Sequence, residues 1–312
     1  MRSSVRPTPA GRPFPASFAA APALLVESLR PRQWIKNGFV LTPVLFAREA
    51  GDPGRLAAAF GAALVFSALS GAAYLLNDVV DRDADRLHPG KRNRPVASGR
   101  LGTGPALGAA AALAAASLGL AFALVPSGAA FAAAGFAALQ ALYSLGLKRL
   151  VFLDAMSIAA GFVLRVVAGG FAAEVVVSHW IVLCTFLLAL FLGLSKRREE
   201  LTTLEEGDRD RHRPVLGEYS RELLDQANVV VLGATIVCYA LWTVSPESVA
   251  KFGSDRLVWT VPFVVYGLLR YLYLVHRGEA AGSPTDALLR DRPLLLCVAL
   301  WLAVSSAIVY LG

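Results

Sequence analysis

Between Ala106 and Val125 the chain runs for twenty residues without a charge. A helix rises 1.5 Å per residue, so about 20 apolar residues carry it across ~30 Å of hydrocarbon. A soluble core helix is amphipathic, with a polar face that this run lacks. Comparable runs recur along the 312 residues, of which 56% are hydrophobic and 17% charged. A soluble domain holds about a quarter charged residues. These observations exclude a soluble globular protein and predict an all-α integral membrane protein.

Hydropathy places nine transmembrane helices: Ala23 to Ala47, Leu56 to Leu76, Ala106 to Val125, Ala129 to Leu147, Phe152 to Ala173, Trp180 to Leu194, Leu223 to Val244, Leu257 to Val275 and Leu294 to Leu311. The first is broken by Arg30, Pro31, Arg32 and Lys36, so its start belongs at the membrane interface. Residues 1–22 are rich in Pro, Ser and Arg without an acid, the composition of a disordered cytoplasmic tail. No repeat divides the remainder, and residues 23–312 read as one nine-helix transmembrane domain.

Basic residues fix the orientation. The segment through Lys36 holds six Lys and Arg, and the loops after the even-numbered spans hold eighteen. The loops after the odd-numbered spans hold four: Arg48, Arg55, Lys251 and Arg256. Cytoplasmic loops retain Lys and Arg, so the N-terminus and the even loops are expected in the cytoplasm and the chain in the cytoplasmic membrane. The net charge of +7 then records topology, and no nucleic-acid partner is expected. Cys184, Cys238 and Cys297 fall within apolar runs without metal-ligand spacing and read as packing residues.

The second span ends in the segment 77–100, NDVVDRDADRLHPGKRNRPVASGR. Asn77, Asp81 and Asp85 recur at four-residue intervals, and Asp78, Asp81 and Asp85 at three and then four. On one continued helix all four share a stripe. Carboxylates so close raise one another's pKa unless a cation sits among them, and hard oxygen donors suit Mg²⁺. Arg86, His88, Lys91, Arg92 and Arg94 follow at once. A metal-bound diphosphate suits both halves: carboxylates hold Mg²⁺, which bridges phosphate oxygens, and Arg or Lys take the rest. The bland alternative is a solvated loop whose charges pair with one another or with lipid headgroups. It accounts for the bases and leaves the helical register of the acids unexplained.

Further polar residues face the same end. Lys36 and Asn37 follow the break in the first span, and Tyr143 and Lys148 close the fourth. In the fifth, Asp154 and Arg165 lie about three turns apart on roughly one face. An arginine that deep signals function by default, the structural alternative being a tie to Asp154 or to a backbone carbonyl. The sixth span ends in Ser195-Lys196-Arg197-Arg198-Glu199-Glu200, where Lys196 or Arg197 offers a phosphate contact and Lys196–Glu200 an ordinary helix-surface pair. Asp286, Arg290, Asp291 and Arg292 either close a lid over the site or cap the ninth span.

Asn77-Asp78-x-x-Asp81-x-x-x-Asp85 after a membrane span resembles the first Asp-rich motif of the UbiA superfamily of intramembrane prenyltransferases. Within it the chain looks most like the members that transfer phosphoribose to a polyprenyl phosphate of the decaprenyl type. That likeness is carried by Arg30-Pro-Arg-Gln-Trp-Ile-Lys-Asn37, His88-Pro-x-Lys-Arg-x-Arg-Pro95, Gly146-Leu-Lys148, Arg165 with Ala168-Gly-Gly170, Lys196-Arg197-x-x-Glu200 and Ala287-Leu-Leu-Arg-Asp-Arg292. Prenyl-diphosphate-using members carry a second Asp-rich motif after the sixth span. Here that position reads KRREE, and the later acids of the loop are Glu205, Glu206, Asp208 and Asp210.

The resemblance implies a nine-helix UbiA-like bundle whose active site faces the cytoplasm. It implies Mg²⁺ as cofactor, with Asn77, Asp78, Asp81 and Asp85 as ligands and the three aspartates as catalytic residues. Phosphoribosyl diphosphate and a polyprenyl phosphate lipid are the implied partners. Lys36, Asn37, Lys91, Arg92, Arg94, Tyr143, Lys148, Asp154, Arg165, Lys196, Arg197 and Glu200 are the implied substrate-binding residues. The rival reading moves a prenyl group from a prenyl diphosphate to an aromatic or other acceptor. A transporter for an anionic metabolite would need charges along the whole path, whereas these gather at one face. The sequence leaves room for a homo-oligomer.

Overall fold

The computed structural model describes residues 21–88, 90–203, 214–278 and 284–311. Among them there is helix and no strand. Eight helical segments are long and apolar enough to cross a membrane. The long elements are α3 (Pro53–Val80), α5 (Thr103–Leu124), α6 (Ser127–Leu145), α7 (Leu153–Ala172), α8 (His179–Thr203), α9 (Arg221–Val244), α11 (Val261–Arg277) and α13 (Arg292–Leu311). Shorter helices are α1 (Ala21–Leu29), α2 (Thr42–Phe46), α4 (Arg82–Leu87), α10 (Pro246–Phe252) and α12 (Pro284–Arg290). The tail expected over 1–22 lies outside the described residues, apart from Ala21 and Pro22, which already belong to α1.

The expected first span is not one α-helix. After α1 the backbone turns left-handed at Arg30 (φ 52°). It continues as a 3₁₀ segment from Pro31 to Leu41 and reaches α2 only at Thr42. Pro31 explains the break: its ring disfavours the α conformation at the residue before it. The segment wedges between α3 and α7, and Gly169 permits the approach. A Cβ at Gly169 would stand 1.8 Å from the carbonyl oxygen of Val40, so only glycine lets the two backbones meet.

Elsewhere small side chains bring the spans together. Ala62, Ala129, Ala130, Ala133, Ala168 and Ala172 are buried around Phe66 and Phe136, as expected where close van der Waals packing drives helix association in lipid. Outward, Leu64, Leu124, Phe131 and Val230 are exposed, the faces a bilayer would cover. Helix ends follow local rules. Asp52 accepts from the backbone N–H of Gly54 and Arg55 at 2.8 and 3.2 Å, with Pro53 opening α3. Ser220 caps α9 through Leu223 N–H at 3.0 Å. Asp291 caps α13 through Leu294 N–H at 2.8 Å and pairs with Arg270.

α7 is the hinge of the architecture, packing against the 3₁₀ segment, α3 and α6 on one side and α8 on the other. α8 packs on α9, and α11 on α13. Side-chain contacts bring the end of α3, the turn after α6, the start of α7 and the end of α8 to one end of the bundle. We call this the charged end.

Candidate active site

The carboxylates sit where α3 stops. α3 ends at Val80, Asp81 caps it, and α4 restarts at Arg82. Register survives the interruption: Asp81 N–H donates to the Asn77 carbonyl and Asp85 N–H to the Asp81 carbonyl, both at 2.8 Å. Asp78 and Asp85 are buried, whereas Asp83 points out to solvent beside Arg86.

The four residues expected on one stripe divide into two pairs. At about 100° per residue, Asn77, Asp81, Asp85 and Asp78 fall in that order across a ~100° arc, and their cationic partners divide them. Asn77 donates to Asp81 at 3.0 Å, and the Lys148 ammonium binds both, at 3.1 and 2.5 Å. Arg94 bridges the second pair, 2.7 Å from Asp85 and 3.3 Å from Asp78. Arg30 donates to the same oxygen of Asp78 and stacks 4.8 Å over the Tyr74 ring. These cations answer the repulsion that clustered carboxylates bring. Asp78, Arg30 and Arg94 line a cavity of about 230 Å³ together with Glu27, Ser28 and Asn93.

Whether the group fits a divalent cation turns on its donors. Among the described residues, no three acidic, His or Cys side chains converge into a cluster that holds a metal unaided. The donors nonetheless have the right chemistry, hard carboxylate and carboxamide oxygens. Among the described residues, Asp78 Oδ2 is buried and has no hydrogen-bond partner, although Arg30 and Arg94 neutralise the same carboxylate through Oδ1. The donor chemistry suits a hard cation, while in the present geometry Arg30, Arg94 and Lys148 neutralise these carboxylates.

Beside this group stands a cluster of lysines. Lys36 is within electrostatic range of Lys196, Arg165, Arg30 and Asp286. Lys91 is within range of Glu200, Arg94, Asp85 and Lys196. Burial pushes the Lys91 ammonium below the usual lysine value. Glu200, Asp85 and Asp286 stand within the same range and partly neutralise these lysines. Arg92 is exposed.

Other expected binding residues have their polar atoms taken up inside the chain. Arg165 donates to Asn37 Oδ1 at 2.7 Å, the Gly161 carbonyl at 2.9 Å and Ser70 Oγ at 3.2 Å, with its guanidinium 4.5 Å from the Phe136 ring. Asn37 in turn donates to Ser67 at 2.9 Å. This knot joins the 3₁₀ segment, α3 and α7. Of the two structural ties weighed for Arg165, the backbone carbonyl is found and Asp154 is not.

Asp154 instead takes Arg197 Nε at 2.5 Å on one oxygen and the Tyr219 hydroxyl at 2.8 Å on the other. Arg197 also donates to Glu200 at 2.6 Å, and Lys196 lies 3.9 Å from Glu200. Arg197 is 1% exposed, Lys196 41%; neighbours in sequence point about 100° apart on α8. Tyr143 stands within electrostatic range of Arg197. Burial first, and then the Asp154 carboxylate, push the Tyr219 hydroxyl above the usual tyrosine range, so it stays protonated and donating at neutral pH. Arg30 and Tyr219 were not among the expected site residues. Arg30 stood inside a motif that the resemblance used, while Tyr219 lies in the loop after α8 with no local signal. Segment 204–213, with Glu205, Glu206, Asp208 and Asp210, lies outside the described residues.

The family model described as the UbiA prenyltransferase family matches residues 38–287. The chain belongs to that family. Among its UbiA relatives, the decaprenyl-phosphate phosphoribosyltransferase of Mycolicibacterium smegmatis is 35% identical over 297 residues, 92% of each chain. The protein of the same name from Mycobacterium tuberculosis is 34% identical over 305 residues, covering 96% of this chain and 97% of its own. In architecture, the UbiA homolog from Archaeoglobus fulgidus solved with GPP and Mg²⁺ superposes with a TM-score of 0.71 at 21% identity, covering 92% of this chain and 99% of that one.

Proposed function

We propose that the chain transfers 5-phosphoribose from phosphoribosyl diphosphate to a polyprenyl phosphate of the decaprenyl class, releasing diphosphate. The observation that carries this reading is the lysine cluster of Lys36, Lys91 and Lys196 beside the carboxylate pairs. A prenyl diphosphate presents one anionic group. Phosphoribosyl diphosphate presents two, and a lipid phosphate adds a third. Relatives at 34–35% identity bear the name of this activity.

In this reading Asn77, Asp78, Asp81 and Asp85 would hold Mg²⁺ beside the donor's diphosphate. When bound, the cation neutralises the leaving diphosphate. Arg30, Arg94 and Lys148, which now neutralise the carboxylates, turn to phosphate oxygens. Lys196, with Lys36 and Lys91, holds the 5-phosphate and faces the lipid phosphate. The bond from the anomeric carbon to diphosphate oxygen breaks through an oxocarbenium-like state, and a bond to the lipid phosphate oxygen forms. The acceptor is already an anion, so no general base is needed; the side chains position and neutralise. Asn37, Arg165, Asp154 and Arg197 hold the walls rather than the ligand.

The lipid phosphate's first prenyl units have a place to go, and the rest of the tail would lie in the bilayer. An apolar cavity of about 210 Å³ is lined by Phe39, Phe46, Trp180, Leu188, Trp242 and Trp301 among others. Leu188 lies eight residues, about 12 Å, along α8 from Lys196. The broken first segment makes a ninth crossing, and the Lys and Arg bias puts the charged end in the cytoplasm of a cytoplasmic-membrane protein.

The test is an assay of purified protein in detergent with labelled phosphoribosyl diphosphate and a polyprenyl phosphate. A parallel reaction offers a prenyl diphosphate and aromatic acceptors. Labelled lipid phosphate diester is expected in the first. Product in the second alone would replace the proposal with the prenyltransferase reading.

A further inference from the structure

Tyr219 lies in the connection between α8 and α9 and touches neither the carboxylate pairs nor the lysine cluster. It is 4% exposed. Its hydroxyl is used twice: it accepts from the backbone N–H of Phe152 at 2.6 Å and donates to Asp154 at 2.8 Å. Its ring meets the Phe152 ring edge-on at 5.7 Å. Phe152 has a positive φ (62°, with ψ −36°) at the centre of a γ-turn in which Leu153 N–H donates to the Val151 carbonyl at 2.8 Å, a rare and strained conformation. Such a conformation persists where surrounding contacts over-determine it, and the Tyr219 hydroxyl supplies one.

Two chains of contact leave this point. One runs back through four residues to Lys148, which binds Asn77 and Asp81. The other runs through Asp154 to Arg197, from Arg197 to Glu200, and from Glu200 to Lys196. We infer that Tyr219 is a positioning residue that sets the spacing between Lys148 at the carboxylate site and Lys196 in the lysine cluster. A donor with anionic groups at both ends is sensitive to that spacing; a ligand with one is not. This inference rests on the proposed phosphoribosyl transfer and adds the element that sets its geometry.

Tyr219→Phe keeps the ring and removes both hydroxyl bonds. Small displacements of binding groups act strongly on a two-point ligand, and KM for phosphoribosyl diphosphate should rise about tenfold, with kcat and the lipid KM held within about twofold. Tyr219 acts through Lys196, so the losses of Tyr219→Phe and Lys196→Ala should not add. A readout independent of turnover is acylation of amines in membranes, followed by mass spectrometry. Tyr219→Phe should speed labelling of Lys196 and weaken its protection by phosphoribosyl diphosphate, leaving Lys251, in the distant α10, unchanged. Additive losses, or equal acceleration at Lys251, would show a merely structural role and overturn the inference. Wild type that makes no product from phosphoribosyl diphosphate would overturn the proposed function instead, and the Lys196 to Lys251 labelling ratio would still decide the role of Tyr219.

Discussion

At Asp78 two guanidinium groups crowd one carboxylate oxygen while the other oxygen has no hydrogen-bond partner among the described residues. At Asp154 one oxygen takes Arg197 and the other takes Tyr219, and the Asp154–Arg197 pair is sealed at 0–1% exposure. Both are aspartate–arginine clusters at the same end of one bundle. The first borders a cavity and keeps an unsatisfied oxygen, so an incoming cation has something to gain there. The second is closed and satisfied, so a ligand could enter only by breaking it. Residue type does not separate a binding site from a strut; the accounting of each oxygen does.

The comparison breaks most visibly by neutralising the open cluster. Asp78→Asn, Asp81→Asn and Asp85→Asn should each lose more than about a hundredfold in kcat/KM, the scale on which preorganised charge acts, with folding in detergent retained. Asp83→Asn should stay near wild type. Excess chelator should abolish turnover in wild type. An equal loss at Asp83 would mean that the helical register has no bearing on the site.

The closed cluster should fail differently. Arg197→Ala strands the Asp154 carboxylate in the interior, and breaking a buried pair typically costs about 3–5 kcal/mol. Thermal unfolding in detergent should show a large drop or no folded protein. A stable, folded Arg197→Ala with a selective donor defect would instead make Arg197 a ligand-binding residue.

Much of this was legible in the sequence, and what was not has physical reasons. Apolar runs gave the spans because lipid demands about 20 residues of helix. The four-residue spacing gave the carboxylates. Their division into two pairs was not legible, because Asp81 lies midway between Asn77 and Asp85 on the arc and it is Lys148, 67 residues away from Asp81, that draws it to Asn77. Arg197 had a readable signal: Leu194 and Leu201, at i−3 and i+4, are both buried, so Arg197 continues an apolar stripe while Lys196 does not. Arg30 and Tyr219 act through contacts 48 and 65 residues away in sequence. Nothing local encodes such contacts. The left-handed turn at Arg30 could be suspected from Pro31, but its aim at Asp78 could not.

A smaller expected effect tests the central claim most directly: that the carboxylate pairs, through the cation they would hold, bind the donor's diphosphate while Lys196 reads its further phosphate. The measurement is kcat/KM for phosphoribosyl diphosphate and for the same donor lacking its 5-phosphate, in wild type and Lys196→Ala. A charge-assisted contact to phosphate is worth about 1.5–3 kcal/mol, roughly tenfold to over a hundredfold. Lys196→Ala should lose about that factor with the full donor and little with the truncated one, which wild type already uses poorly. Equal losses with both donors would contradict the claim and assign Lys196 to the lipid phosphate.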